Sequence, residues 1–473
     1  MQTRTSLAPS ICDAAGTEFD THVPVLIVGA GACGLIAALA AGSTGAEVLV
    51  LERDGTPSGS TTLSSGFIPA AGTRFQLAQD IQDGPEQFAA DIQAKAKGKA
   101  EQPLVELASR RCGEVLEWLA DRHGLEWTVL DDFLYPGHTR HRMHAVPEKT
   151  GAALMARLLT AAGAADVPLA TNVHAVRLLT DGAVIKGAEL HRPAGEVERI
   201  GCDALVLACN GYGGNEGLVR RHIPEMAGAL YFGHDGNQGD AVCWGEALGA
   251  GLQHLSGYQG HGSVAVPHGI LVTWALMMEG GIQVNQEGRR FSNEHRGYSE
   301  QSLEVLAQPG GVAWNLYDER LHKLGLAFDD YRNAVEAGAV RRAGSLDHLA
   351  MQTGLPGDTL RKTLELTHAC QAGSAADKFG RDFTGSPPLA PPWYAVKVTG
   401  ALFHTQGGLL IDQSARVLHR DGEAFPNLYA AGGAACGVSG PSPEGYLSGN
   451  GLLTAVTFGA VAGWHAGRSC RRL

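Results

Sequence analysis

Three glycines and one carboxylate carry the clearest chemistry in this chain. Gly29, Gly31 and Gly34 stand as G-x-G-x-x-G, and Glu52 follows at the roughly twenty-residue distance of a dinucleotide fingerprint. Gly29 permits a tight turn, Gly31 lets the backbone approach a pyrophosphate, and Gly34 lets a helix pack closely on a strand. Glu52 sits where a carboxylate accepts hydrogen bonds from an adenosine ribose. The run from Ser58 to Gly72 then supplies Ser60, Thr61, Thr62, Ser65 and Gly66. Such runs are often plain turns. Directly after the fingerprint, their hydroxyls and amides are placed to hold pyrophosphate and ring polar groups.

The elements that must position these residues can be read around them. Val25 to Val28 is an apolar run suited to a buried parallel strand, an Ala/Leu-rich helix runs to about Gly42, and Val48 to Leu51 is a second strand. The helix N-terminus faces the phosphates with free N–H groups and the positive end of its dipole. Asp80 to His123 and Gly151 to Ala165 read as helical, and Thr171 to Val173 starts a strand, with Val173 a candidate for packing on adenine. Asp203 to Cys209 is a further buried strand closed by Asn210 and Gly211. It lacks the helix and acidic partner of a second fingerprint, so one dinucleotide site is expected and no tight NAD(P) site is evident. Gly239 and Asp240 open another helix.

From about residue 261 to 399 the character changes. Gly280 to Asn285 and Gly288 to Glu294 read as a hairpin, and helices are expected over Leu346 to Thr353 and Thr359 to Ala372. A Pro-rich link, Ser386 to Trp393, follows. Strand character resumes over Gly407 to Arg416, another buried strand ends in Asn427 to Gly433, and Ser448 to Trp464 is a long Ala/Gly-rich helix. The expected architecture is α/β: a Rossmann-like dinucleotide domain of residues 22–260 and 400–473, interrupted by an α+β capping domain of residues 261–399.

Composition excludes other classes. The chain has 473 residues, 44% hydrophobic and 18% charged, with net charge -12, which leaves no electrostatic footprint for nucleic acid. At that length two or more folding units are expected. No apolar window reaches membrane-spanning length. The first twenty or so residues read as a loose tail without a secretory signal. The cysteines number nine, without CxxC spacing, so reduced thiols in a cytoplasmic protein are expected. The His/Arg-rich segment Gly137 to Pro147 has no carboxylate or Cys at ligand spacing, so no metal is expected. It reads as a basic loop near a substrate entrance or as a salt-bridged surface.

With these pieces in order, the chain resembles the flavoprotein superfamily of fumarate reductase, succinate dehydrogenase and 3-ketosteroid dehydrogenase. The carriers are VGAGACGLIAALAA, ERDGTPSGSTTLSSG, LVLACNGYGGN, GNQGDA, GGIQVNQEGRRFSNE, HTQGGLLID and NLYAAGG with GYLSGNGLLTA, spread over nearly the whole chain. The resemblance implies a glutathione-reductase-type FAD domain, with the active site at its seam with the cap. The cofactor-binding set would comprise Gly29, Gly31, Cys33, Gly34, Glu52, Arg53, Ser60, Thr61, Thr62, Ser65, Gly66, Val173, Asn210, Gly211, Asp240, Gly432, Gly433, Asn450, Gly451 and Leu452. Members with covalent flavin carry a histidine where this chain has Ser60, so FAD is expected to be non-covalent. Most relatives have Glu where this chain has Gly433.

Two further departures concern the substrate. Fumarate reductases carry a proton-delivering arginine where this chain has Tyr298, and a dicarboxylate-clamping arginine where it has Tyr446. Both tyrosines, and Ser448 in YLSG, are similar to the ketosteroid dehydrogenase branch. There one tyrosine exchanges the α-proton and another hydrogen-bonds the ketone. His404 in HTQGG is instead similar to the carboxylate-binding histidine of fumarate reductases. The resemblance therefore implies an FAD-dependent oxidoreductase acting on a C=C bond beside a carbonyl. Tyr298 would handle the proton, assisted by His295 and Arg296, and Tyr446 would hold the carbonyl, with His404 and Ser448 beside substrate and His261 and Tyr258 lining the pocket. The substrate would be a ketone, steroid-like or a smaller cyclic enone, with an unidentified electron acceptor or donor as the other partner. A carboxylate substrate anchored by His404 and Arg296 is the second reading, and a non-catalytic flavin carrier the third.

Overall fold

The computed structural model describes residues 9–470. They form two compact units. The first holds residues up to Ile223, Gly233–Tyr258 and His404 onward; the second holds Pro224–Phe232 and Gln259–Phe403.

The first unit is built on a mixed sheet of nine strands among the described residues. Its centre is Thr21–Val28, paired in parallel with Val48–Leu51 on one side and Val197–Leu207 on the other. Val25, Leu26 and Ile27 are fully buried, as a strand covered on both faces requires. The helix Ala32–Ser43 leaves the glycine turn and is buried from Ala32 to Ala41. The C-terminal helix Asn450–Cys470 lies against it at backbone distance. A Cβ at Gly459 would come 2.6 Å from the Cys33 carbonyl oxygen, and one at Gly463 would collide with that of Ala37. The Ala/Gly richness of both helices is thus the condition for their close approach.

Three expectations for this unit are corrected. Ser10–Asp13, read as part of a loose tail, is an edge strand parallel to His174–Asp181; four half-exposed or exposed residues carry no periodic signal, and the backbone ladder, a bond from Arg177 to Ser10 and the packing of Ile11 hold them. Residues 1–8 of that tail lie outside the described residues. The turn after Val197–Leu207 does lead into a helix, Glu216–His222, because the Asn215 side chain accepts from the N–H groups of Gly217 and Leu218. The helical stretch before His123 is two helices, Pro85–Lys95 and Gln102–His123, each with proline in its first turn.

The second unit is a seven-stranded sheet with helices, among the described residues. Trp393–Thr405 pairs with Val312–Asp318, which pairs with Ile282–Val284. The expected hairpin partner, Gly288–Glu294, is not a strand. Asn285 Oδ1 accepts from the N–H groups of Glu287 and Arg289 and curls the chain, and Arg290 pairs with Glu294 four residues on. No helix of the described residues is long and apolar enough to cross a membrane.

Candidate active site

The glycine turn tests whether a dinucleotide fits, because its three glycines are needed for different reasons. A Cβ at Gly29 would lie 2.5 Å from the Ala208 carbonyl oxygen, and one at Gly34 would collide with the Gly29 carbonyl. Protein packing explains both. A Cβ at Gly31 would meet nothing nearer than Thr61 Oγ1 at 3.7 Å, so only a ligand in that space requires glycine there. The helix starting at Ala32 has no side-chain cap and no acidic residue in its first turn; Ala32 N–H donates to Thr61 Oγ1 at 3.3 Å. Glu52 spans the turn, with Oε2 accepting from Ala30 N–H and Oε1 from Asp54 N–H, both at 3.0 Å. Its remaining lone pairs suit ribose hydroxyls. Val173, buried, is tied to the Glu52 carbonyl at 2.9 Å.

Around this turn the structure gathers much of the expected set. Ser60 Oγ meets Asn237 Nδ2 at 2.9 Å and Asn210 Nδ2 at 3.3 Å. Asn210 adopts φ +63° and accepts Gly211 N–H at 2.8 Å. A Cβ at Gly433 would collide with Asn210 Oδ1, and one at Gly432 would lie 3.3 Å from Cys33 Sγ. The glycine at 433 is therefore the packing complement of Asn210. Gly239 N–H donates to the Gly211 carbonyl and brings Asp240 beside Cys209. Arg53 reaches Gly236. Thr62 and Gly66 serve the loop itself: Thr62 Oγ1 donates to the Ser58 carbonyl, and Gly66 packs on Thr150. Ser65, beside them, is half-buried. Asn450 is fully buried; its Nδ2 donates to Ser439 Oγ at 2.9 Å, and its Oδ1 finds no partner among the described residues. Such an orphaned acceptor marks a place for a donor from outside the chain. Gly451 and Leu452 continue the same helix start.

The turn before that helix holds the first reactive hydroxyl. Tyr446 is buried, and its oxygen accepts the N–H groups of Gly449 and Gly451. Burial pushes its pKa well up, the two amides opposing. With its lone pairs so engaged, the hydroxyl acts as a donor. His404 meets Tyr446 edge-on with ring centroids 5.6 Å apart. Burial lowers its pKa to about 4, so the ring is neutral. Gln406 Nε2 donates to His404 Nδ1 at 2.9 Å and the Thr405 carbonyl lies farther, at 3.3 Å. A Cβ at Gly451 would come 2.6 Å from His404 Nε2. Ser448 is buried in this turn.

The His/Arg-rich segment turns partly inward: His138, Arg142 and His144 are buried, whereas Thr139 and Arg140 are exposed. Arg142 is 1% exposed and bonds Asp83 at 2.9 Å and Asp91 at 2.5 Å. Its Nη1 also reaches His138 Nδ1 at 3.3 Å, and His138 Nε2 reaches the Ser448 carbonyl at 3.0 Å. His144 Nδ1 donates to the Arg142 carbonyl at 2.9 Å and its Nε2 accepts from Thr73 at 2.8 Å. Sequence reasoning missed these roles because Asp83 and Asp91 lie on a different element.

In the second unit, Tyr298 opens the helix Tyr298–Leu306 and is 8% exposed. Its ring stacks on His261 at 4.8 Å, which in turn stacks on Phe403 at 5.2 Å. Burial lowers the His261 pKa to about 3, and His261 Nδ1 accepts Ser263 N–H at 3.1 Å. Beneath lies the RFSNE motif. Glu294, fully buried, takes Arg290 at 2.7 Å and Arg381 at 3.0 Å, and these guanidinium groups hold its pKa down to about 2 against desolvation. Ser299 Oγ accepts Gly260 N–H at 3.0 Å, tying the helix to the strand of His261. The expected assistance from His295 is not there: burial and Arg381 lower its pKa to about 4, and Nε2 faces the Met277 carbonyl at 3.3 Å. Arg296 is exposed. Tyr258 is fully buried.

This turn, carboxylate and buried acceptor define a dinucleotide-binding protein. Residues 24–452 match the FAD binding domain family, and the chain belongs to it. FAD is its cofactor, and it is an FAD-dependent oxidoreductase of the group that holds fumarate reductases and 3-ketosteroid dehydrogenases, whose members act on carbon–carbon double bonds. It is similar to NADH:fumarate oxidoreductase of Klebsiella pneumoniae, 30% identical over 97% of this chain and 48% of that protein, so it spans about half of that relative. Among solved structures it is similar to the open conformation of a flavocytochrome c3 fumarate reductase: TM-score 0.82, 28% identity, 97% of this chain and 80% of that one. It is also similar to 3-ketosteroid Δ4-(5α)-dehydrogenase of Rhodococcus jostii RHA1 bound to 4-androstene-3,17-dione: TM-score 0.77, 25% identity, 97% of this chain and 99% of that one.

Proposed function

We propose that the protein forms or reduces a C=C bond conjugated to a ketone, with Tyr446 holding the carbonyl oxygen and Tyr298 exchanging the α-proton. The observation that carries this is the Tyr446 hydroxyl, whose oxygen accepts two backbone N–H groups. It offers a proton to an acceptor, and an enolate oxygen is the acceptor whose charge grows during the reaction. His404, neutral at working pH, adds a second uncharged group beside it. A dicarboxylate needs cations to balance its charge, and both tyrosines stand where fumarate reductases carry arginine. FAD, held non-covalently by the glycine turn, Glu52 and the Asn450 helix start, supplies the hydride chemistry. The reduced thiols fit a cytoplasmic setting. The electron partner is a separate molecule or domain.

A carboxylate substrate is the second reading, favoured by the fumarate-reducing relative. Anaerobic mixing of the yellow protein with a saturated cyclic ketone, or separately with succinate, distinguishes the two. Bleaching of the flavin band by the ketone alone is expected. Bleaching by succinate alone, or reoxidation of the reduced protein by fumarate and not by cyclohexenone, overturns the ketone reading.

A further inference from the structure

The segment around Arg142 raises a question that a buried ion triad alone does not answer: why a histidine stands between the arginine and the Tyr446 turn. Each link from Arg142 to Tyr446 has only one possible direction. A guanidinium can only donate, so His138 Nδ1, 3.3 Å from Arg142 Nη1, must accept. The proton of the neutral ring then sits on Nε2, and Nε2–H donates to the Ser448 carbonyl at 3.0 Å. That carbonyl shares a planar peptide with Gly449 N–H, so fixing one end aims the other. Gly449 N–H donates to the Tyr446 oxygen. Gly449 takes φ +87°, and a Cβ there would lie 2.5 Å from Pro69 Cδ, so the peptide is also held sterically. Gly137, next to His138, packs on Leu447, where a Cβ would come within 2.8 Å.

We propose that Arg142 and His138 are positioning residues that set the polarity of the Tyr446 hydroxyl, keeping it a donor toward an oxyanion. Asp83 and Asp91 fix the guanidinium on its far side. The inference rests on the reading of Tyr446 as the carbonyl holder. It gives the His/Arg-rich segment a task in the site: a directional chain whose output is one proton aimed at substrate.

The test uses the FAD-loaded full chain with 4-nitrophenol as an enolate mimic, its ionised fraction read from the phenolate band. His138→Phe should keep FAD and weaken 4-nitrophenolate about tenfold. His138→Gln, which keeps an N–H at the reach of Nε2, should bind within about twofold of the parent. Equal binding by His138→Phe and parent, or equal weakening in both variants, overturns the relay. Tyr446→Phe separates the two levels: if it binds the phenolate like the parent, the carbonyl-holder reading itself fails, whereas weakening there without weakening in His138→Phe removes only the relay. Nitrogen-15 histidine NMR on the parent checks the first link without any substitution. A neutral ring at 138 with its proton on Nε2 is expected, and a proton on Nδ1 would refute the chain.

Discussion

The two tyrosines are held by different neighbours. Tyr446 is held by its oxygen, through the amides of its own turn. Tyr298 is held by its ring, stacked at 4.8 Å on His261 at the start of a helix. A hydroxyl whose oxygen faces amide donors is turned to give a hydrogen bond, which suits holding a carbonyl through the whole reaction. Ring stacking on His261 keeps the Tyr298 phenol in place through a proton exchange. The supports differ accordingly. Under Tyr446 a neutral histidine leads back to a buried ion triad of Arg142, Asp83 and Asp91; under Tyr298 lies a buried ion cluster of Glu294, Arg290, Arg381 and Asp377.

Substitution should separate holding from proton exchange. Tyr298→Phe should keep FAD and lower kcat by about 10²- to 10⁴-fold, the range of a lost general acid; near-normal turnover with cyclohexenone would remove Tyr298 from the reaction. Tyr446→Phe should lower kcat/KM by about 10²- to 10³-fold, as when one oxyanion donor is deleted. Equal losses of ketone binding in both variants would erase the distinction between them. Glu294→Gln leaves two buried guanidinium groups short of a partner. It should destabilise the second unit by about 3–5 kcal/mol, seen as a lowered melting transition with the bound-FAD absorbance of the folded protein unchanged. A Glu294→Gln protein that melts like the parent would mean the ion cluster is not what holds the helix of Tyr298.

How far the chain could be read beforehand follows the same division. The glycine turn, Glu52 and the central strands were legible because phosphate binding uses amides within a few consecutive residues and a buried parallel strand is continuously apolar. The tyrosines came only through the family resemblance, which aligns Tyr298 with a position after RFSNE and Tyr446 with one before the helix start. What was not legible is what holds them. Asp83, Asp91, His138, Arg142 and Ser448 meet only after the chain has folded across several elements, and nothing local marks Arg142 as buried. The same cause misled the reading of Gly288 to Glu294. Ile282–Val284 finds its strand partner in Val312–Asp318, and Arg290 and Glu294, read as part of the hairpin, belong to an interior ion cluster. His295 was misjudged for the complementary reason: a histidine beside an arginine reads as a cation in sequence, but burial keeps it neutral.

The neutral chain leaves a trace in the pH dependence of stability, and this is the smallest effect expected. His138 is pulled down to about 4 from 6.5, first by burial and then by Arg142, with Asp91 and Asp83 opposing. The folded pKa lies below the unfolded one, so below pH 6.5 the unfolded chain binds the extra proton. Stability is therefore full above pH 6.5 and falls as pH drops toward about 4, where the folded histidine also protonates. The slope is up to about 1.4 kcal/mol per pH unit for each such group. His144 and His404 behave alike, so the parent should lose stability steeply across this window. His138→Phe removes one proton from the balance, and urea unfolding between pH 6.5 and 4.5 should show a slope shallower by roughly that amount. An unchanged slope would mean that His138 is charged in the folded protein. It could then donate from both nitrogens, its bond to the guanidinium would be lost, and Tyr446 would be aimed by its own turn alone.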